Sequence, residues 1–320
     1  MRIVLCGETF PSSRDILAPF VPDDDVVRVP ATGVDDAARA ADVLIPMMTR
    51  LDTALIGRTS ARLIQQWGAG LEGVDVAAAS ARGIFVCNVP SDVTPNAEST
   101  AEHAVLLMLA CARRLRAGFA SFERGLWGAP LGESLFGKRA LIVGYGRIGR
   151  ALARRLVALG MEVDAVRRSP QPDEAEREGI RGVAAPAAFL DLAAEADFIV
   201  STATVTSESR GLFGDALFRV VKPTAFVINV SRGAIVDEDA LARALRDRRI
   251  AGAGLDVFVR EPIDAAHPLL AFENVIATPH IGGVTRESYE GIAKAIAANV
   301  TAVKAGRLPQ HCVNPGVRAR

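Results

Sequence analysis

The sequence predicts an α/β protein with two similar parallel-sheet domains, on three observations. Short apolar runs bounded by small or turn residues alternate with helical patterns along nearly all of its 320 residues, as in strands covered by helices on both faces. The runs fall into two sets, one before the segment "AEHAVLLMLACARRL" and one after "GESLFGKR", which favours two domains over one doubly wound sheet. Half of the residues are apolar, enough for a sizeable core in each.

In chain order, "RIVLCG", "DVLIPM", "RLIQQWGAG" and "GIFVCN" read as the first set of strands, and "RALIVG", "MEVDAV", "ADFIVS", "AFVINV" and "GAGLDVF" as the second. The opening "MRIVLCGETF" turns polar too early for a secretory signal and reads as a first strand. Residues Ala101 to Leu115 form an apolar helix too short for a bilayer and ending in arginines, hence a buried helix. The polar piece "RRSPQPDEAEREG" reads as an exposed loop. From about Arg286 an alanine-rich helical pattern, "ESYEGIAKAIAANVTAVKAG", leads into the closing "VNPGVRAR"; it completes the first domain if the chain crosses back.

Lys plus Arg equals Asp plus Glu at 37 each, which gives no support for nucleic acid or an anionic membrane as partner. Cys6, Cys87, Cys111 and Cys312 are scattered without a C-x-x-C pair. That argues against a disulfide framework or a zinc site, so no metal is expected, and a reducing, cytoplasmic location fits.

"ALIVGYGRIGRALARRLVALGMEVDAVRR" places Gly144, Gly146 and Gly149 in a G-x-G-x-x-G spacing between a strand and a helix. The first glycine permits the tight turn, the second lets the backbone approach a pyrophosphate, and the third lets helix and strand pack closely. A dinucleotide is therefore expected, its pyrophosphate held by amides near Arg147 and Ile148 at the helix N-terminus. An NAD site usually carries an acid after the next strand, to accept from the ribose hydroxyls. Here Arg167 and Arg168 stand there, which suits the 2′-phosphate of NADP; NADP is the expected preference and NAD the alternative. Asp164, inside the strand, is poorly placed to replace the missing acid.

Three later segments, "INVSRGAIVDEDAL" with Arg232, "GAGLDVFVREP" with Asp256 and Glu261, and "NVIATPHIGG" with His280, put charged residues where apolar strands give way to loops. In an open parallel sheet that edge is where ligands bind, so the three are expected to converge. His103, His267 and His311 have no obvious catalytic partner in the sequence.

With "GAGLEGVD" and "NAESTAEHAV" added in order, these motifs run from Gly68 to Gly283. The sequence resembles the D-isomer-specific 2-hydroxyacid dehydrogenase family, in particular its glyoxylate/hydroxypyruvate reductase-like members. The resemblance implies two Rossmann-like or flavodoxin-like domains, a substrate domain of residues 1–98 and 285–320 and an inserted NAD(P) domain of residues 99–284. It assigns catalysis to Arg232, Glu261 and His280. Arg232 would hold the carboxylate and C2 oxygen of a 2-oxo acid, His280 would pass the proton to that oxygen, and Glu261 would orient the ring. Thr100, Val230, Ser231, Asp256, His280 and Gly282 match positions near the cofactor. The amides of Ala69 and Gly70 would bind the substrate carboxylate beside Arg232 and His280, with Trp67, Met47 and Met48 as candidate walls. In "STATVTSESRGLF" the chain departs from the family at Ala203 and Thr204, so an adenine pocket of different shape is expected. A homodimer with the helix near Ala101 at its interface is implied as well. The alternatives are a phosphite or phosphoglycerate dehydrogenase of the same family, or a dinucleotide-sensing, corepressor-like binding protein.

Overall fold

All pairings between strands are parallel in the computed structural model, which describes residues 1–171 and 173–317. The chain divides into two compact units, Met1–Asn96 with Thr285–Arg320, and Ala97–Val284. Pro172 of the expected polar loop and residues 318–320 of the closing segment lie outside the described residues.

The first unit holds β1 (Arg2–Cys6), β2 (Asp25–Val29), β3 (Val43–Ile45), β4 (Leu63–Gln65) and β5 (Phe85–Cys87), in the order β2-β1-β3-β4-β5. Side chains alternate across a strand, and here both faces are buried. Ile3 and Leu5 enter one core with Leu63 and Phe85, while Val4 and Cys6 enter the opposite one with Leu44, Ile64 and Val86. Each fully buried aliphatic side chain contributes roughly 1.5–3 kcal/mol, which is why such short strands hold. The helix Arg286–Lys304 lays Tyr289, Ile292, Ala293, Ile296, Val300 and Val303 on the first of these cores at helical spacing. Its start is capped by the Thr285 hydroxyl, which accepts from the Ser288 amide, and Asn299 Nδ2 donates to Gln65 of β4 at 2.7 Å.

The second unit holds β6 (Arg139–Val143), β7 (Glu162–Val166), β8 (Gly182–Ala184), β9 (Phe198–Ser201), β10 (Phe226–Asn229), β11 (Gly252–Leu255) and β12 (Val275–Ala277). Their order is β12-β11-β10-β9-β6-β7-β8. The chain runs outward from β6 to β8, then returns to place β9 on the other side of β6. The loops after β6 and β9 therefore diverge at a topological switch point, where open parallel sheets bind ligands. Leu141 and Val143 of β6 face one core and Ala140 and Ile142 the other. The helix Asn96–Ala112 packs on β11 through a close approach at Gly254, where an added Cβ would meet Leu107 at 3.0 Å and Cys111 at 3.4 Å.

Two strands, β2 and β8, were absent from the sequence reading. Both are edge strands. Asp25–Val29 is buried only at Val26, and Gly182–Ala184 is half-buried throughout, so neither carries the continuous apolar run of a central strand. Among the described residues no helix is long and apolar enough to cross a membrane, and no cluster of three or more potential metal ligands occurs. The four cysteines are free thiols.

Candidate active site

The glycine loop leaves β6 at Gly144, whose φ of 101° is open to glycine at little cost. An added Cβ there would lie 2.5 Å from the backbone of Ala203, which follows β9, so the two loops of the switch point touch. Gly149 sits one turn into the helix Arg147–Ala158, where a Cβ would come within 2.5 Å of the Gly144 carbonyl. Gly146 faces open space, and its position at the helix start carries no side-chain cap. The helix-start amides and the bare Gly146 form a cradle that fits a pyrophosphate.

The neighbouring strands β10, β11 and β12 end at the same edge and deliver Arg232, Asp256 with Glu261, and His280 in turn. His280 Nδ1 lies 2.6 Å from Glu261 Oε2, and Glu261 Oε1 accepts the Phe258 amide at 2.7 Å. An ionised carboxylate only accepts, so the Nδ1 proton points at Glu261 and the chemistry falls to Nε2. The His280 side chain is 33% exposed and that of Glu261 13%, so the ring is reachable while its partner is mostly shielded. Arg232 is half-buried; its Nη1 donates to the Ser231 carbonyl at 2.8 Å and its own carbonyl accepts from Asn229 Nδ2 at 2.9 Å. Val230 and Ser231 are buried beneath it, and the Ser231 hydroxyl meets Ser201 Oγ of β9 at 2.7 Å.

His280 itself has a φ of 55°, unfavourable for a residue with a Cβ. Asp256 holds it there. The Asp256 carbonyl accepts the His280 amide at 2.8 Å, and its carboxylate accepts the Ile281 and Gly282 amides, each at 2.8 Å, and the Thr278 hydroxyl at 2.7 Å. Burial pushes this carboxyl up; hydrogen bonds from His103, Thr278 and Ile281 outweigh it and keep it below the ordinary aspartate value. His103 thus acquires partners invisible in the sequence: its Nε2 lies 2.8 Å from Thr278 Oγ1 and 3.3 Å from Asp256 Oδ1. Thr100 is buried near Gly282, at 3.5 Å from where a Cβ on that glycine would stand. His267 also finds a carboxylate, Glu238 at 3.5 Å, and Glu238 in turn accepts the Val259 amide in the loop leading to Glu261.

Arg167 differs from the expectation of a side chain awaiting an anion. Its Nη1 lies 2.5 Å from the fully buried carboxylate of Glu174, which Arg150 and the Gln171 amide also contact. Burial raises the Glu174 carboxyl, but these donors hold it below the ordinary glutamate value. Sequence spacing gave no hint of this pair because the acid arrives through a short helix, Glu174–Glu178. Arg168 is exposed. Asp164 is buried on β7, 3.6 Å from Arg181, and burial pushes its carboxyl up.

In the first unit, side chains and backbone occupy the carbonyls of the loop after β4: Gly68 accepts from the Val89 amide, Ala69 from Asn88 Nδ2 and Gly70 from Gln66 Nε2, at 2.8, 2.8 and 2.7 Å. Trp67 is half-buried with its ring edge on Tyr289, centroids 5.3 Å apart. Met47 belongs to the core of the unit, unlike the wall residue expected, while Met48 is half-buried.

Residues 105–282 match the family model described as D-isomer specific 2-hydroxyacid dehydrogenase, NAD binding domain. A glyoxylate reductase of Thermococcus litoralis is 37% identical over 88% of this chain and 86% of its own. Among solved structures, the TT0316 protein from Thermus thermophilus superposes with a TM-score of 0.85 at 34% identity, over 98% of this chain and all of that one (100%). An NADPH-dependent glyoxylate/hydroxypyruvate reductase from Sinorhizobium meliloti, in complex with NADP and malonate, has a TM-score of 0.83 at 28% identity, covering 100% of this chain and 98% of that one. The matched span includes the glycine loop, the Arg232 loop and the His280–Glu261 pair, and the chain belongs to the D-isomer specific 2-hydroxyacid dehydrogenase family.

Proposed function

We propose that this protein is an NAD(P)-dependent reductase of small 2-oxo acids, reversible as a D-2-hydroxyacid dehydrogenase, with glyoxylate or hydroxypyruvate as substrate and NADP as preferred cofactor. The observation that carries the reading is the 2.6 Å contact between His280 and Glu261 at the sheet edge that also delivers Arg232. The names of the relatives support the substrate class.

The cradle at Gly144, Gly146, Arg147, Ile148 and Gly149 would hold the pyrophosphate of the dinucleotide. Thr100, Val230, Ser231, Asp256, His280 and Gly282 would line its nicotinamide end. When bound, the nicotinamide supplies the hydride that C2 takes up. Arg232 would grip the substrate carboxylate and C2 oxygen with its planar fork, fixing the acid and stabilising negative charge as it develops on that oxygen. Ala69 and Gly70, whose carbonyls are taken by Asn88 and Gln66, would offer their amides to the carboxylate. His280 then gives the Nε2 proton to the C2 oxygen, while Glu261 keeps Nδ1–H in place and compensates the ring's charge. In the oxidative direction the same nitrogen accepts the proton. Arg168 would be the first to hold a 2′-phosphate, with Arg167 joining only by sharing its hold on Glu174.

A homodimer through the second unit belongs to the same proposal. Phe119, Phe122, Trp127 and Leu131 are 64%, 71%, 85% and 90% exposed in and after the helix Leu115–Glu123, large apolar side chains that a second copy of the chain would cover. Light scattering of Trp127→Glu against the parent chain tests it. A cytoplasmic location is proposed from the free thiols.

The deciding experiment is steady-state oxidation of NADPH and NADH with glyoxylate, hydroxypyruvate, pyruvate and phenylpyruvate. Turnover with glyoxylate or hydroxypyruvate, faster with NADPH, is expected. No turnover with any of the acids while a cofactor still binds would overturn the reductase reading in favour of phosphite oxidation or cofactor sensing.

A further inference from the structure

Cys87 and Cys312 stand 225 positions apart in sequence and face each other in the first unit. Cys87 ends β5, at one edge of the five-stranded sheet, and the chain after the helix Arg286–Lys304 returns along that edge to form a single antiparallel bridge, Cys87 with Cys312. Its hydrogen bonds define its type. The Val313 amide donates to the Val86 carbonyl at 2.8 Å and the Asn88 amide to the His311 carbonyl at 3.4 Å, so the bonds flank the two cysteines. That makes them a non-hydrogen-bonded antiparallel pair, in which facing Cα atoms lie about 4.5 Å apart and side chains leave on the same side. Disulfides span Cα separations of about 4.4–6.8 Å, so the bridge falls at the short end of that range.

The surroundings fix the pairing. Asn314 Oδ1 accepts the Val86 amide at 2.8 Å, and its Nδ2 donates to Ser80 Oγ and to the Ile84 carbonyl, locking the returning segment in register. Cys312 Sγ lies 3.2 Å from Asn314 Oδ1 and is half-buried, which leaves it open to a small oxidant. Cys87 is fully buried; burial first, then the facing Cys312 thiol, push its pKa up, which slows its attack without removing its partner.

We propose that Cys87 and Cys312 form a reversible disulfide site that reacts with peroxides. The Cys312 thiolate attacks a peroxide oxygen, the O–O bond breaks, and sulfenic acid and water form. Cys87 then attacks the sulfenic sulfur, closing the S–S bond and releasing a second water. Two thiols lose one electron each to sulfur–sulfur bonding, and one hydrogen peroxide becomes two waters. Asn88, the next residue, donates through Nδ2 to Ala69. The bond therefore also bears on the loop proposed to hold the substrate carboxylate; this second half rests on the reductase reading, and a rise in KM for glyoxylate on oxidation is its sign.

The test treats the full-length chain with hydrogen peroxide, alkylates it under denaturing conditions, and maps peptides by mass spectrometry with and without dithiothreitol. The expected result is a single peptide pair linking Cys87 to Cys312, reversed by the reductant, with Cys6 and Cys111 alkylated. Cys312→Ser should leave Cys87 a free thiol after the same treatment. Sulfinic acid at Cys312 without linkage, or linkage only between chains, would overturn the site. Glyoxylate kinetics on portions of the oxidised and reduced protein taken before denaturation separate the two halves: a linked peptide with unchanged KM keeps the site and removes its coupling to the loop. Absence of activity in the reduced protein would count against the reductase reading, while the peptide map still decides the cysteines.

Discussion

The backbone at Gly233 lies against the backbone at Phe258 so closely that a Cβ on Gly233 would stand 1.9 Å from the Phe258 carbonyl carbon. One residue earlier is Arg232, and three residues after Phe258 is Glu261, so this contact registers the loop of Arg232 against the loop of the carboxylate that meets His280.

Gly233→Ala should therefore damage both. The methyl would meet backbone atoms, which cannot rotate away, and forced overpacking costs roughly 1–3 kcal/mol or more. A lower Tm together with a fall in kcat is expected. Wild-type Tm and kcat in the purified variant would show that the two loops do not depend on this contact.

His280→Gln keeps a polar side chain of similar reach beside Glu261 but removes the transferable proton. Loss of general acid–base catalysis is expected to lower kcat by about 10²–10⁴-fold. Cofactor affinity, followed by fluorescence titration with NADPH, should change little. Retention of kcat within a few-fold would remove His280 from the proton path.

Arg167 and Arg168 should part company on mutation. Arg168→Ala is expected to lower the NADPH over NADH preference by about 10–100-fold, the loss of one charge-assisted hydrogen bond of roughly 1.5–3 kcal/mol. Arg167→Ala should act more on stability, because it takes one of the donors from the buried Glu174 carboxylate. Paired kcat/KM ratios and thermal melts read the two effects; an Arg167 variant that changes cofactor choice alone would contradict the assignment.

Asp256→Asn tests the anchor of His280. The amide can accept on one side only, so a backbone N–H of Ile281 or Gly282 faces a donor, at a cost of about 1–3 kcal/mol. The pH dependence has a definite sign. A carboxyl held below its ordinary value contributes stability fully present above that value, 3.8, and lost as pH falls through the lower folded one. The gap in Tm between parent and variant should be wide at neutral pH and narrow below about 3.8. A gap that widens on acidification would mean that the ionised carboxylate is not what holds the loop.

The central strands are legible in the sequence because a strand buried on both faces must be apolar at every position, as Ile3, Val4, Leu5 and Cys6 are. The edge strands Asp25–Val29 and Gly182–Ala184, exposed or half-buried at most positions, escape that demand and leave no such trace. The glycine loop was legible for a related reason: Gly144 and Gly149 answer local steric needs written within a few residues of themselves, although Gly144 is also closed in by Ala203 from the next strand.

Strand ends point to Arg232, Asp256, Glu261 and His280 together, since a parallel sheet gathers all its strand ends at one edge, and the family resemblance singles out Arg232, Glu261 and His280 among them. Which partner each side chain takes was another matter. The Glu174 carboxylate on Arg167, the His103–Thr278–Asp256 contacts that seat His280 at a positive φ, and the Cys87–Cys312 bridge all join residues far apart along the chain or set by a turn no periodicity describes. Burial and backbone pattern are properties of a short window and survive in the sequence. Pairing between side chains depends on distances in space, and those exist only once strands from both ends of the chain lie side by side.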